Sequence, residues 1–102
     1  MAVLLLAQAG WSADWGASFA DPPRAYDMGV YWWWFGPAVT KAEVTRELEV
    51  MRDAHISSVL IFPIYPISVD NPSKEIRNLN YLSPQFLDVL GHAAREAHRM
   101  GI

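Results

Sequence analysis

An α/β fold with parallel strands is what this sequence predicts, and three observations predict it. Two continuous apolar runs of strand length, 29–35 and 58–65, carry aromatic and β-branched residues without polar alternation, as strands buried on both faces do. Each run is followed by a helical pattern, and strand–helix alternation builds parallel sheets through right-handed crossovers. Two strands and two helices cannot cover both faces of such a sheet, so aromatic positions on at least one face of the first strand are left wet. A closed (β/α)8 (TIM-type) barrel takes about 250 residues. The 102 residues here are therefore expected to form its first two β/α units, an incomplete domain.

The opening "MAVLLLAQA" reads in two ways. Its apolar run and the small-x-small pattern ending at Ala9 suit a truncated signal peptide over residues 1–9, which implies a secreted or periplasmic protein. It lacks a basic leading region and is short for a signal, so a plain apolar N-terminus fits as well. Residues 10–28 are rich in Gly, Ser, Asp and Pro without a period. They form an irregular lead-in, with Asp21-Pro22-Pro23 fixing an extended segment.

The first strand contains "VYWWWFGP", which places three of the five tryptophans side by side. Gly36-Pro37 ends it. Successive strand residues point to opposite faces, so one phase holds Tyr31, Trp33 and Phe35 and the other Trp32 and Trp34. Periodicity does not say which phase points inward.

Thr40 opens the first helix with the capping box "TKAE", in which Thr40 and Glu43 are expected to cap each other's N–H groups. Val44, Leu48 and Met51 make its apolar stripe. It stops near Ala54, leaving His55 at the turn position where glycine is commonest. The second strand, "SVLIFPIY", follows. A polar loop over residues 66–82 leads to a helix begun by Ser83 and Pro84 as N-cap and first residue. There Phe86, Leu90, Ala93, Ala97 and Met100 share one face, Asp88, His92, Arg95 and Arg99 lie opposite, and Gly101 closes the helix.

Several function classes drop out on composition. A net charge of −3 and the lack of any Lys/Arg stripe give no footprint for nucleic acid. The absence of cysteine removes disulfides, thiolate metal sites and a cysteine nucleophile. No apolar run approaches the roughly 18 residues that span a bilayer. His55, His92 and His98 have no shared metal-ligand spacing and read as solvated. Glu43, Glu47, Glu49 and Asp53 read as a solvated helix surface with one cap. Asn71-Pro72-Ser73 is not a glycosylation acceptor, and no nucleophile-elbow, phosphate-loop or dinucleotide motif is present.

In a barrel, strand-to-helix loops share the C-terminal rim, where active sites are built. The loop after the second strand exceeds the roughly 12 residues beyond which loops in compact domains are commonly functional. Trp33 and Trp34 at the end of one strand and Tyr65 at the end of the other are thus candidates for substrate contact, because aromatic faces suit the C–H faces of a sugar ring. Packing is the main reason for the tryptophan run and sugar contact a second one. Asp70 and Glu75 lie in the long loop, where they suit a sugar hydroxyl, a cation or plain solvation. Hydrolysis needs two carboxyls at a defined separation, which loop spacing does not establish.

The run "FADPPRAYDMGVYWWWFGPAVTKAEVTRELEVMRDAHISSVLIFPIY", followed by "IRNLNYLSPQFLDVLGHAAREAHRMGI", resembles the start of the catalytic region of glycoside hydrolase family 106, the α-L-rhamnosidases. The resemblance covers about residues 19–102. It implies that residues 29–102 are the N-terminal fragment of a (β/α)8 catalytic barrel that releases terminal α-L-rhamnose from plant polysaccharides or glycosides. It also implies an inverting, calcium-assisted reaction whose carboxylates and calcium ligands lie past Ile102, so that no catalytic residue or metal ligand is assigned here. The fragment is then expected to be inactive alone, its partners being rhamnosides and the remainder of its own barrel. The sequence departs from the family's glycine-rich "GIGG"-like turn at His55-Ile56-Ser57-Ser58, where bulkier residues predict a looser helix-to-strand return. A non-catalytic carbohydrate-binding or assembly module is the alternative.

Overall fold

The computed structural model describes residues 14–102; the signal-peptide reading of residues 1–9 lies outside them. The element order is α1 (Trp15–Ala20), β1 (Met28–Phe35), α2 (Lys41–Asp53), β2 (Ile56–Ile64) and α3 (Pro84–Met100), an α/β arrangement. β1 and β2 pair in parallel, with Trp32 beside Ile61, Trp33 beside Phe62 and Trp34 beside Pro63.

Capping explains where the helices begin and end. Thr40 Oγ1 accepts from the Glu43 N–H at 3.2 Å and Ser83 Oγ from the Phe86 N–H at 3.2 Å, each satisfying an orphan donor. Only half of the expected capping box forms, because the Glu43 carboxylate turns to Arg46, whose Nε donates at 2.9 Å. That bond, ahead of the Coulombic pull of the guanidinium, holds the Glu43 carboxyl below its ordinary range. Gly101 takes the left-handed conformation after α3, with φ 76°.

The helix-to-strand return is tight, against the expectation of looseness. His55 supplies the single left-handed residue, φ 58°, a conformation that histidine tolerates better than most side chains. Its N–H donates to the Arg52 carbonyl at 3.1 Å. Ser58 fits because Gly29 faces it: a Cβ on Gly29 would lie 2.5 Å from Ser58 Oγ.

Three further departures have local causes. Residues 15–20 of the lead-in form a helix capped by Asp14, whose Oδ1 accepts from the Ala17 N–H at 3.0 Å; six residues are too few for a period to show in sequence. The strands begin earlier than their apolar runs suggest, at Met28 and Ile56, and Tyr65 lies just beyond β2. Glu47 and His92 are not simply solvated. Glu47 Oε2 accepts from the Trp32 indole N–H at 2.6 Å, and His92 Nε2 lies 2.9 Å from Thr45 Oγ1, bridging α3 to α2.

The core sits on one side of the sheet. Trp32, Trp34, Val44, Leu48, Phe86, Val89, Ala93 and Met100 are buried together, so both long helices cover the Trp32–Trp34 face. Within the described residues β1 is buried on one face only, as expected where two helices cannot cover both faces of the sheet. Tyr31, Trp33 and Phe35 alternate with the buried pair and remain exposed, as do Leu60 and Phe62 beside them.

Candidate functional site at the strand ends

The C-terminal ends of β1 and β2 meet the long loop through Gly36. Its N–H donates to the Ile64 carbonyl at 3.0 Å, and its carbonyl accepts from the Leu79 N–H at 3.0 Å. Only glycine fits. The φ is +71°, and a Cβ would stand 1.9 Å from Asn78 Oδ1, so a side chain meets both backbone strain and a direct clash.

Asn78 in turn shapes the loop. Its backbone N–H donates to Asp70 Oδ1 at 2.9 Å. Its side-chain amide donates to Asp70 Oδ1 at 2.8 Å and to the Ser68 carbonyl at 3.0 Å. The backbone bond first, and the side-chain bond second, hold the exposed Asp70 carboxyl below the usual carboxylate range, because both stabilise its ionised form. Further out, the loop closes on itself through a bridge between Asn71 and Ile76 around a 3-10 turn, Pro72–Lys74. Glu75 ends that turn in the left-handed conformation.

Two clefts open on this rim, and Asn78 lines both. The first, about 400 Å³, is walled by Tyr65 and Tyr81 with Pro37 and Asn80. The second, about 290 Å³, is walled by Trp33 and Phe35 with Ile67 and Ile76. No Asp, Glu, Lys or Arg lines either one. Apolar and aromatic walls with a few convergent polar groups are the usual make-up of small-molecule sites.

The three sequence candidates are thereby separated. Trp33 (57% exposed) lines the second cleft, and Tyr65 (78% exposed) lines the first. Trp34 is 1% exposed. It lies in the core, with its ring edge-on to Trp32 at 5.4 Å and to Phe86 at 6.2 Å, and lines neither cleft. Sequence reading missed Asn78, Asn80 and Tyr81, which look like any polar loop residues, and treated Gly36 only as a strand stop. Among the described residues, no group of three or more His, Asp or Glu side chains is placed to hold a metal ion. No helix there is long and apolar enough to cross a membrane.

This geometry can be set beside known proteins. A protein of Formosa agariphila that carries a provisional beta-glucuronidase name is 28% identical over 86 residues, covering 84% of this chain. The chain spans 7% of that relative's length. No solved structure matches the chain significantly. The family model for glycoside hydrolase family 106, described as alpha-L-rhamnosidase, matches residues 20–102. That match takes in β1, β2, both long helices and the whole rim, and the chain belongs to this family of glycoside hydrolases.

Proposed function

We propose that the chain contributes the first two β/α units of a (β/α)8 barrel in an exported glycoside hydrolase that releases terminal α-L-rhamnose from plant polysaccharides or glycosides. In this reading residues 1–9 belong to an export signal, residues 10–28 lead in, and residues 29–102 open the catalytic barrel. One observation carries it: the parallel sheet is covered by helices on one face only, while the other presents Tyr31, Trp33, Phe35, Leu60 and Phe62. Helices outside and large side chains inside is the layering of a barrel wall. The long loop and both clefts then fall on the rim where barrel enzymes bind substrate.

The chain's own share of the reaction is binding. Trp33 and Tyr65 offer aromatic faces to sugar rings, and Asn80 and Tyr81 offer polar groups to hydroxyls. Inverting hydrolysis needs one carboxylic acid on the glycosidic oxygen and one carboxylate on a water, roughly 6.5–9.5 Å apart. The loop offers only Asp70 and Glu75, and Asp70 Oδ1 already accepts two bonds from Asn78. The chain by itself is therefore assigned no catalysis. Calcium, which the family resemblance implies, finds no group of three or more carboxylate or histidine side chains placed to hold it among the described residues.

The test is to express the coding frame through and beyond the Ile102 codon and assay aryl α-L-rhamnosides beside aryl β-D-glucuronides. Release from the rhamnoside is expected. Release from the glucuronide alone overturns the substrate, and a frame that stops at Ile102 with sugar binding but no hydrolysis leaves a carbohydrate-binding module.

A further inference from the structure

At the end of the strands opposite the clefts, the lead-in is tied down around Asp27, the residue before β1. Its carboxylate is 3% exposed, although its neighbours Tyr26 and Met28 are exposed. Oδ2 lies 3.6 Å from Arg24 Nε, and Oδ1 lies 3.5 Å from His55 Nδ1. Arg24 also reaches the end of α3, where its Nη2 donates to the Gly101 carbonyl at 2.9 Å. Backbone ties run alongside. The Met28 N–H donates to the His55 carbonyl at 3.2 Å, and Ser57 Oγ donates to the Asp27 carbonyl at 3.4 Å. The lead-in, the turn between α2 and β2, and the end of α3 thus meet at one buried carboxylate.

This meeting explains the residue at the turn. A buried carboxylate is costly unless cationic or hydrogen-donating groups face it. Asp27 Oδ1 accepts no hydrogen bond among the described residues, and His55 is the group turned toward it. A bare Nδ1 there would set lone pair against lone pair, so that nitrogen must carry a hydrogen. The turn itself needs only a left-handed residue, for which glycine is least strained. Glycine, however, would take away the group that faces Oδ1. The other charges at these element ends are engaged elsewhere. Arg52 and Asp53 pair with each other at 2.8 Å, and Arg99, in the last turn of α3, is held by Glu96 at 2.8 Å.

We propose that Asp27 is a buried anchor which, with Arg24 and His55 as its two arms, straps the lead-in across the N-terminal ends of the strands. The folding unit then begins in the lead-in and not at β1, and His55 keeps its hydrogen on Nδ1. The family match, which starts at residue 20, likewise takes in the strap. In barrels this end of the strands carries stability and the other end carries chemistry, so the strap stands apart from the choice of substrate.

Amide exchange and nitrogen-15 NMR of the imidazoles, both on the whole chain, test it. A 3-10 turn of three residues is too short to protect its own amides. The Tyr26 and Asp27 N–H groups donate to the Pro23 and Arg24 carbonyls. With the strap fastened they should exchange about tenfold more slowly than in Arg24→Ala. The Arg24 side chain is largely exposed, so that variant should leave the protection of Leu48, in α2, unchanged. At about pH 8, above the ordinary imidazole range, His55 Nδ1 should show the signature of a nitrogen that bears hydrogen. Asp27→Ala should move that hydrogen to Nε2. If Asp27→Ala does not fold, His55→Asn, which keeps a residue tolerant of the left-handed conformation, takes its place and should loosen the same two amides. Equal exchange at Tyr26 and Asp27 with and without Arg24 overturns the proposal, and so does a bare Nδ1 in the unsubstituted chain. Loss of protection at Leu48 in Arg24→Ala overturns it as well, since Arg24 would then support the core and not a strap.

Discussion

The two faces of β1 carry nearly the same chemistry and have opposite fates. Trp32 and Trp34 are 6% and 1% exposed, whereas Tyr31 and Trp33, their alternating neighbours, are 68% and 57% exposed. Both sets make edge-on aromatic pairs, Trp32 with Trp34 at 5.4 Å and Tyr31 with Phe62 at 5.4 Å. Composition therefore does not distinguish them. What does is the side on which α2 and α3 lie, with Leu48 and Phe86 closing over one face and nothing in the described chain closing over the other. An aromatic side chain contributes stability according to what covers it, and the same residue type on a bare face is free to meet a ligand.

Substituting adjacent tryptophans breaks this comparison most sharply. Trp34→Ala should cost about 3–5 kcal/mol, as large-to-small changes of buried aromatics do, which is a large part of the whole stability of a small domain. Trp33→Ala should stay within about 0.5 kcal/mol, in the range of exposed substitutions. Denaturant unfolding followed by far-ultraviolet circular dichroism gives both values. Similar losses for the two would mean that the bare face is covered in solution.

A smaller effect sharpens the comparison at the rim. Gly36→Ala forces a Cβ into a left-handed position against Asn78, at about 1–3 kcal/mol for the backbone strain. The loop, not the core, should absorb it. Faster amide exchange is expected at Leu79, whose N–H donates to the Gly36 carbonyl, with α2 and α3 little changed. Loss of protection throughout both helices would show instead that the rim and the core form one cooperative unit.

The smallest effect concerns protonation of the loop. Asp70 has a lowered carboxyl pKa because Asn78 donates to it. A depressed folded value contributes stability that is fully present above the ordinary carboxylate range and is lost as pH falls through the folded value. The Asn78 amide resonance, followed by NMR, should hold steady down through pH 5 and 4 and shift only below the ordinary carboxylate value. Asp70→Asn should remove that shift. A transition at or above the ordinary value would mean that the Asn78 bonds do not persist in solution.

Much of the fold is legible residue by residue. Thr40, Ser83 and Gly101 mark helix ends because each contacts backbone within about one turn, and such signals survive any tertiary context. Part of the site is legible as well. Trp33 and Tyr65 fall near strand ends by their positions in the chain alone, and both line clefts. The rest was hidden for physical reasons. Trp34 sits one residue from Trp33, and nothing local tells the two phases apart. Asn78 acquires its role only by lying over Gly36, 42 positions earlier by the numbering.

By itself, then, the sequence determined the order of the two strands and the two long helices, the places where those helices begin and end, the lack of a Lys/Arg cluster, and the residues that resemble the rhamnosidase family. Those properties rest on hydrogen bonds and periodicities that span a few residues, together with net composition. Only the tertiary structure decided which face of the tryptophan strand the helices cover and how the loop folds into two uncharged clefts around Asn78. These are contacts between segments far apart in the chain, and their choice depends on which surfaces bury together, a quantity that no short window contains.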